Sequence, residues 1–149
     1  MPLSASQETV LEELVETLSD SATWCVIGST DSVLRGLDDD PSDIDILATE
    51  AAAKQFRDRF SDGFTDTREV GQSQIDTYVV HGEEVEVIFC HREKSHQTPL
   101  IDLERIEVVQ TEHSGVPLLP LEHLVTVYEQ IGKHETVARL QSELGVSAR

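Results

Sequence analysis

Lysine is scarce in this chain. Of its 149 residues, 29 are Asp or Glu and 11 are Lys or Arg, which gives a formal net charge of −18, and three of the basic residues are lysines (Lys54, Lys94 and Lys133). Because phosphate backbones are bound by clustered Lys and Arg, long nucleic acid is disfavoured as a partner. Many carboxylates with few lysines are also expected where salt screens self-repulsion, and we favour a halophilic source.

Cysteines and long apolar runs are also few. Cys25 and Cys90 are the two cysteines, and both lie in strand-like apolar runs, which favours buried reduced thiols over a disulfide framework. No stretch approaches the roughly 20 apolar residues of a membrane span. Residues 1–20 lack the basic start and apolar run of a signal peptide. We therefore expect a cytoplasmic protein without a membrane partner, and the length suits a single domain over residues 1–149.

The spacing of apolar residues predicts alternating helices and strands. The expected helices begin after a cap at Ser4 or Ser6 and cover residues 30–35, 51–60, 121–131 and 133–144. The expected strands cover residues 24–27, 43–48, 75–80, 85–90 and 106–110, with a hairpin turn at His81-Gly82 and a polar loop over 61–74. This order predicts an α/β (α+β) domain with a mixed β-sheet.

Two aspartates stand out from the acidic background because of their position in a predicted strand. Alternate side chains of a strand point to one face, so Asp43, Asp45 and Leu47 share a face while Ile44 and Ile46 are buried on the other. Carboxylates two residues apart lie about 6.6 Å apart along the strand, which lets them converge on divalent metals. A third carboxylate from a neighbouring strand would fix a second ion, as in two-metal phosphoryl-type transfer.

A Gly-Ser pair precedes these aspartates. Gly28-Ser29 ends the apolar run 24–27, and a short helix follows at once. Such a junction presents backbone N–H groups, Gly allows close approach, and the Ser hydroxyl can contact a phosphate oxygen. We predict that Gly28, Ser29, Asp43 and Asp45 bind the phosphates of a nucleoside triphosphate (NTP).

The chain resembles the polymerase-β-like nucleotidyltransferase superfamily in three consecutive features. These are the strand that ends in Gly28-Ser29, the short helix that follows it, and Asp43-Ile44-Asp45-Ile46 on the next strand. Residues 24–36 are also similar to a segment of tRNA and lincosamide nucleotidyltransferases, and residues 119–124 to small antibiotic- and toxin–antitoxin-type members. The resemblance covers residues 22–90, the expected catalytic core, and more weakly the helical part 117–145. It implies a mixed sheet with helices mainly on one side, a two-metal Mg²⁺ site, and transfer of a nucleoside monophosphate from an NTP such as ATP to a hydroxyl, with release of pyrophosphate.

The resemblance also implies a third carboxylate on a later strand. Glu86 is our choice for this catalytic and metal-binding position, Glu84 on the same face is the reserve candidate, and Asp76 is a weaker one. Glu86 is also a candidate general base toward the acceptor hydroxyl, provided that it is not tied up by metal. The resemblance also places Tyr128 at the position where many relatives carry a Lys that reaches the triphosphate.

Plainer interpretations stay open at this point. Asp43 and Asp45 also fit an acidic loop that leads into an edge strand, and Glu86 fits a solvated strand residue. The leading hypothesis is a nucleotidyltransferase whose acceptor is a small molecule or a protein hydroxyl, bound at a homodimer interface or by a partner chain. The alternative is a catalytically weak binding protein of the same fold that acts as an antitoxin-like or regulatory partner, for example of a small helical protein.

Overall fold

The computed structural model describes residues 3–18, 23–36, 41, 43–70, 73–90, 109–110, 115–130 and 134–144. Its helices are α1 (Ala5–Thr17), α2 (Gly28–Leu34), α3 (Glu50–Arg59), α4 (Leu121–Gln130) and α5 (His134–Leu144). Its strands are β1 (Trp24–Ile27), β2 (Ile44–Ala48), β3 (Phe64–Val70), β4 (Ser73–Val80), β5 (Glu83–Cys90), β6 (Val109–Gln110) and β7 (Pro117–Leu118). Among these helices, none combines the length and apolar character that crossing a bilayer requires.

The strands form one mixed sheet in the order β3-β4-β5-β2-β1-β7-β6. β2 lies at its centre, antiparallel to β1 and parallel to β5, while β4 and β5 form the antiparallel hairpin. His81 and Gly82 both have positive φ in the hairpin turn, which matches the twist of the flanking strands. The predicted mixed α/β sheet is therefore confirmed.

Apolar side chains on the two faces of the sheet form two clusters. Trp24 and Val26 of β1 belong to the larger cluster, which includes α1 and α3 and is flanked by the end of α2. Cys25 and Ile27, on the opposite face, pack with α4 and α5 in the second cluster. Because β1 and β2 are covered on both sides, their sequences are nearly continuous apolar runs.

The start of α1 fixes the segment that leads into the aspartates. Ser4 caps the helix in a capping box with Gln7, so one of the two predicted caps is confirmed. The buried Gln7 amide also donates to the carbonyl of Pro41 at 2.8 Å. Thr30 of α2 donates to the carbonyl of Asp43 at 3.2 Å. The backbone on the approach to β2 is thus held by two helices.

The polar loop predicted for residues 61–74 is wrong. A single 3-10 turn, Ser61–Gly63, is followed by β3 and by the first residues of β4. β3 is the edge strand of the sheet, and the side chains of residues 65–69 are exposed. The strand therefore lacks the apolar alternation that would reveal it in the sequence, and its pairing with β4 rests on backbone hydrogen bonds. Residues 106–108 of the last predicted strand lie outside the described residues.

A buried ion pair joins α2 to the start of the C-terminal helices. Asp31 has no exposed side-chain surface and accepts two hydrogen bonds from Arg35, at 2.7 and 3.0 Å. Arg35 also donates to the carbonyl of Leu119 at 2.6 Å. Burial raises the pKa of the Asp31 carboxyl above its ordinary value, and Arg35 opposes this shift. Arg35 therefore forms an internal ion pair with Asp31.

Replacement of Arg35 by Met should lower the free energy of unfolding by about 3–5 kcal/mol at pH 8, because it leaves the Asp31 carboxylate buried without its counter-charge. The matched control is Arg59→Met. Arg59 also lies 2.7 Å from its partner, Glu13, but on the surface, so its loss should cost less than about 1 kcal/mol. Urea unfolding of the three proteins measures both values.

The pH dependence gives a second check on the same variant. Without Arg35 the pKa of Asp31 in the folded chain rises further above its unfolded value, so the folded state binds the extra proton as the pH falls. The stability deficit of Arg35→Met should therefore shrink between pH 8 and pH 5. A deficit that is equal at both pH values would contradict a charge-based origin.

Candidate functional site

Three carboxylates meet on one face of the sheet. Asp43 lies one residue before β2 and Asp45 is the second residue of this strand, directly beside Glu86 of the parallel strand β5. One oxygen from each carboxylate lies within 4.8 Å of the others, and all three residues are half-buried. Register and alternation together therefore produce the cluster, and Leu47, on the same face of β2, packs against the C-terminal helices.

The two other predicted candidates for the third carboxylate lie outside this cluster. Asp76 is buried, and it is held by Arg57 at 3.2 Å and by Thr67 at 2.7 Å. It lies one position away from Thr77, the register partner of Glu86, so its side chain points to the opposite face. Glu84 shares the face of Glu86 but is exposed and does not join the group. Of the three residues, the structure brings Glu86 to Asp43 and Asp45.

Gly28, the first residue of α2, touches the cluster at the point where the chain leaves β1. Ile27 is the register partner of Asp45, so the chain turns into α2 beside the carboxylate. The φ of Gly28 is +77°, and a Cβ at this position would lie 2.7 Å from Oδ2 of Asp45. Both the left-handed backbone and the close approach require glycine. The predicted strand-to-helix junction at Gly28-Ser29 is therefore confirmed, with Gly28 packed against the carboxylate.

Tyr128 of α4 is hydrogen-bonded to the backbone N–H of Gly28. Its hydroxyl accepts this hydrogen bond at 2.6 Å, and the side chain is buried. Burial is the largest cause that raises the pKa of Tyr128, and the carboxylates of Asp31 and Asp45 raise it further, so the phenol stays protonated. In this structure the Gly28 N–H therefore has a partner on α4, and phosphate binding by Gly28 stays a prediction.

A cavity of about 390 Å³ opens in front of the carboxylates. Its lining includes the predicted residues Gly28, Ser29, Asp43, Asp45 and Glu86, together with Ser32, Tyr128, Thr136, Arg139 and Leu140. Among the described lining residues, only Arg139 carries a positive charge.

Sequence reasoning missed Thr136 and Arg139. They lie three positions apart on α5 and therefore near one another on the helix surface, while Val137 and Leu140 are buried in the second apolar cluster. No local motif marks Arg139, because it reaches the cavity only when α5 packs beside the sheet.

The donor set suits a hard divalent cation. Asp43, Asp45 and Glu86 supply carboxylate oxygens, which are the ligands that Mg²⁺ prefers, and no sulfur or imidazole takes part in the group. Their negative charges lie close together at the edge of a cavity, where one or two cations would relieve the repulsion. The residues present therefore fit a magnesium site.

Comparison with known proteins shows the fold. No protein-family model and no curated protein matches the chain. Among solved structures, a protein from Thermotoga maritima that is provisionally named a nucleotidyltransferase has a TM-score of 0.69 and 22% identity, over 97% of this chain and 96% of its own. ANT(2″)-Ia, solved with adenylyl-2″-tobramycin, has a TM-score of 0.62 and 10% identity, over 94% and 90%. The chain has the nucleotidyltransferase fold that the sequence predicts.

Replacement of Gly28 by Ala should weaken Mg²⁺ binding by about tenfold or more, because the new methyl group displaces the Asp45 carboxylate. Gly82→Ala is the matched control. Its φ is +79°, and no atom lies within 4 Å of the added Cβ. Both variants should lose about 1–2 kcal/mol of stability through the left-handed backbone. Calorimetric Mg²⁺ titrations would contradict the predicted role of Gly28 if the two variants bound alike.

Proposed function

We propose that this protein is a magnesium-dependent nucleotidyltransferase, which moves a nucleoside monophosphate from an NTP to a hydroxyl and releases pyrophosphate. The observation that carries the proposal is the cluster of Asp43, Asp45 and Glu86 at a cavity that Gly28 and Ser29 also line, on a nucleotidyltransferase fold. The cavity lies in the volume range of small-molecule sites.

In this proposal the three carboxylates hold two Mg²⁺ ions. When bound, a metal pair stabilises both the attacking and the leaving oxygen of an in-line displacement at phosphorus. Asp45 neighbours Asp43 along the chain and Glu86 across the sheet, and the three carboxylates together would hold the metal pair.

The remaining lining residues orient the nucleotide. The hydroxyl of Ser29 donates to a phosphate oxygen, and Arg139 of α5, which also lines the cavity, neutralises phosphate charge. The acceptor oxygen forms a bond to the α-phosphorus as the bond to the pyrophosphate oxygen breaks. A carboxylate of the cluster, for which Glu86 is our candidate, takes the hydroxyl proton.

The acceptor that we favour is a small molecule or a protein hydroxyl. ANT(2″)-Ia holds a small molecule that carries an adenylyl group, which shows that a protein of this fold and similar length accommodates such an acceptor. The net charge of −18 disfavours a long polyanion. A protein acceptor or a second copy of the chain would complete the site from outside.

A second candidate function is a binding protein of the same fold with little catalysis, such as an antitoxin-like or regulatory partner. Two contacts favour it: Tyr128 occupies the Gly28 N–H, and Arg68 lies 3.2 Å from Glu86. The Gly28 N–H and the Glu86 carboxylate are therefore already hydrogen-bonded within the protein when no substrate is bound. The two functions differ in whether pyrophosphate is released.

The test of the leading proposal is incubation of the full chain with Mg²⁺ and each labelled NTP, alone and with cell lysate. We expect pyrophosphate release, and a loss of at least about 100-fold in Asp43→Asn/Asp45→Asn, because the metal ligands are removed while the strand keeps its shape. Activity that survives this double change would contradict the site. NTP binding that requires Mg²⁺ but gives no pyrophosphate would favour the binding protein.

Glu86 and Glu84 offer a matched pair for the third ligand. They lie two residues apart on the same face of β5, and only Glu86 belongs to the cluster. Glu86→Gln should reduce both Mg²⁺ affinity and turnover by about tenfold to 100-fold, whereas Glu84→Gln should change neither by more than about twofold. The reverse pattern would assign the third ligand to Glu84.

A further inference from the structure

A guanidinium group reaches the carboxylate cluster from the edge of the sheet. Arg68 lies on β3 and pairs in register with Ile75, so two strands bring it to the face that carries Glu86. Its Nη2 donates to Oε1 of Glu86 at 3.2 Å. The Arg68 side chain is 48% exposed and that of Glu86 is 19% exposed, so the pair lies at the border between the site and solvent.

We propose that Arg68 is the internal counter-cation of the cluster, which neutralises Glu86 when no metal is bound and competes with a divalent cation for it. The inference rests on the metal site of the proposed function. Three carboxylates with oxygens within 4.8 Å repel one another, and a nearby positive charge lowers this repulsion. Arg68 supplies this positive charge from a side chain of the protein, without a bound ion.

Competition follows from the geometry of the pair. The Glu86 oxygen that accepts the Arg68 hydrogen bond belongs to a carboxylate that a metal needs as ligand, and a divalent ion beside the guanidinium is repelled by its charge. β3 is an edge strand, and the half-exposed Arg68 side chain has room to swing into solvent. Metal binding therefore includes the release of Arg68 from Glu86, and Arg68 sets the Mg²⁺ concentration at which the site fills.

The size of the effect follows from the exposure of the pair. Ion pairs at such half-exposed positions contribute little to the free energy of folding, typically about 0.2–1 kcal/mol. Removal of the competing guanidinium should therefore tighten Mg²⁺ binding by about 1.5- to 5-fold. Arg68→Lys keeps the positive charge and should bind Mg²⁺ within about 1.5-fold of the unchanged protein.

Arg59→Gln is the matched control. Arg59 forms a comparable ion pair with Glu13, with side-chain exposures of 54% and 21%. It packs on Phe60 of the larger apolar cluster, on the face of the sheet opposite to Glu86. The variant makes the same change in net charge as Arg68→Gln. Because salt at about 0.15 M screens exposed charges beyond about 8 Å, Arg59→Gln should leave Mg²⁺ affinity unchanged.

The experiment is a calorimetric titration of each chelator-treated full-length protein with Mg²⁺ alone, without nucleotide. Asp43→Asn/Asp45→Asn is included to show that the heat reports on the cluster. A lower Kd in Arg68→Gln, with Arg68→Lys and Arg59→Gln unchanged, supports the proposal. An equal or higher Kd in Arg68→Gln overturns it and leaves the metal site standing. An absence of Mg²⁺ binding in every protein overturns both the metal site and this proposal.

Discussion

The pairing of β2 with β5 is the constraint on which the site depends. Asp45 and Glu86 are neighbours in the register, and Asp43 lies two residues before Asp45. Two unit charges 4.8 Å apart repel by about 3.5 kcal/mol at an effective dielectric constant of about 20, so the three carboxylates would separate if they lay on independent loops. The backbone hydrogen bonds of two buried strands hold them in place. The fold thus holds three mutually repelling carboxylates together at a position where a cation or a phosphate-bound metal would relieve the repulsion. Burial of the apolar clusters on both faces of the sheet supplies the free energy that maintains this arrangement.

Much of this arrangement was predictable from the sequence, because it depends on periodicities that one strand displays by itself. The alternation Asp43-Ile44-Asp45-Ile46 separates the carboxylates from the core, and Gly28-Ser29 marks the end of the strand before it. The choice of Glu86 over Glu84 was open in the sequence, since both residues face the same side of β5. Only the contact between neighbouring strands separates them, and this contact is nonlocal.

Other features were beyond the sequence for physical reasons. The edge strand β3 has exposed side chains, so no apolar pattern distinguished it from a loop. Arg139 reaches the cavity through the packing of α5, and Arg68 of β3 reaches Glu86 of β5 across the intervening strand β4. Each of these positions is set by tertiary structure. Adaptation to salt as the reason for the net charge of −18 is still a prediction. The acidic composition also concealed the cluster, because its three carboxylates are part of a total of 29.

The hydrogen bond from the Gly28 N–H to Tyr128 carries a consequence for how this chain can be divided. One end belongs to the turn between β1 and α2, and the other to α4, 100 residues later. Arg35 makes a second link of this kind, from α2 to the carbonyl of Leu119. The C-terminal helices are therefore structural supports of the turn beside Asp45. Grafting a different helical tail onto the sheet in place of α4 would remove the Tyr128 tether, so a replacement helix would need its own acceptor for the Gly28 N–H.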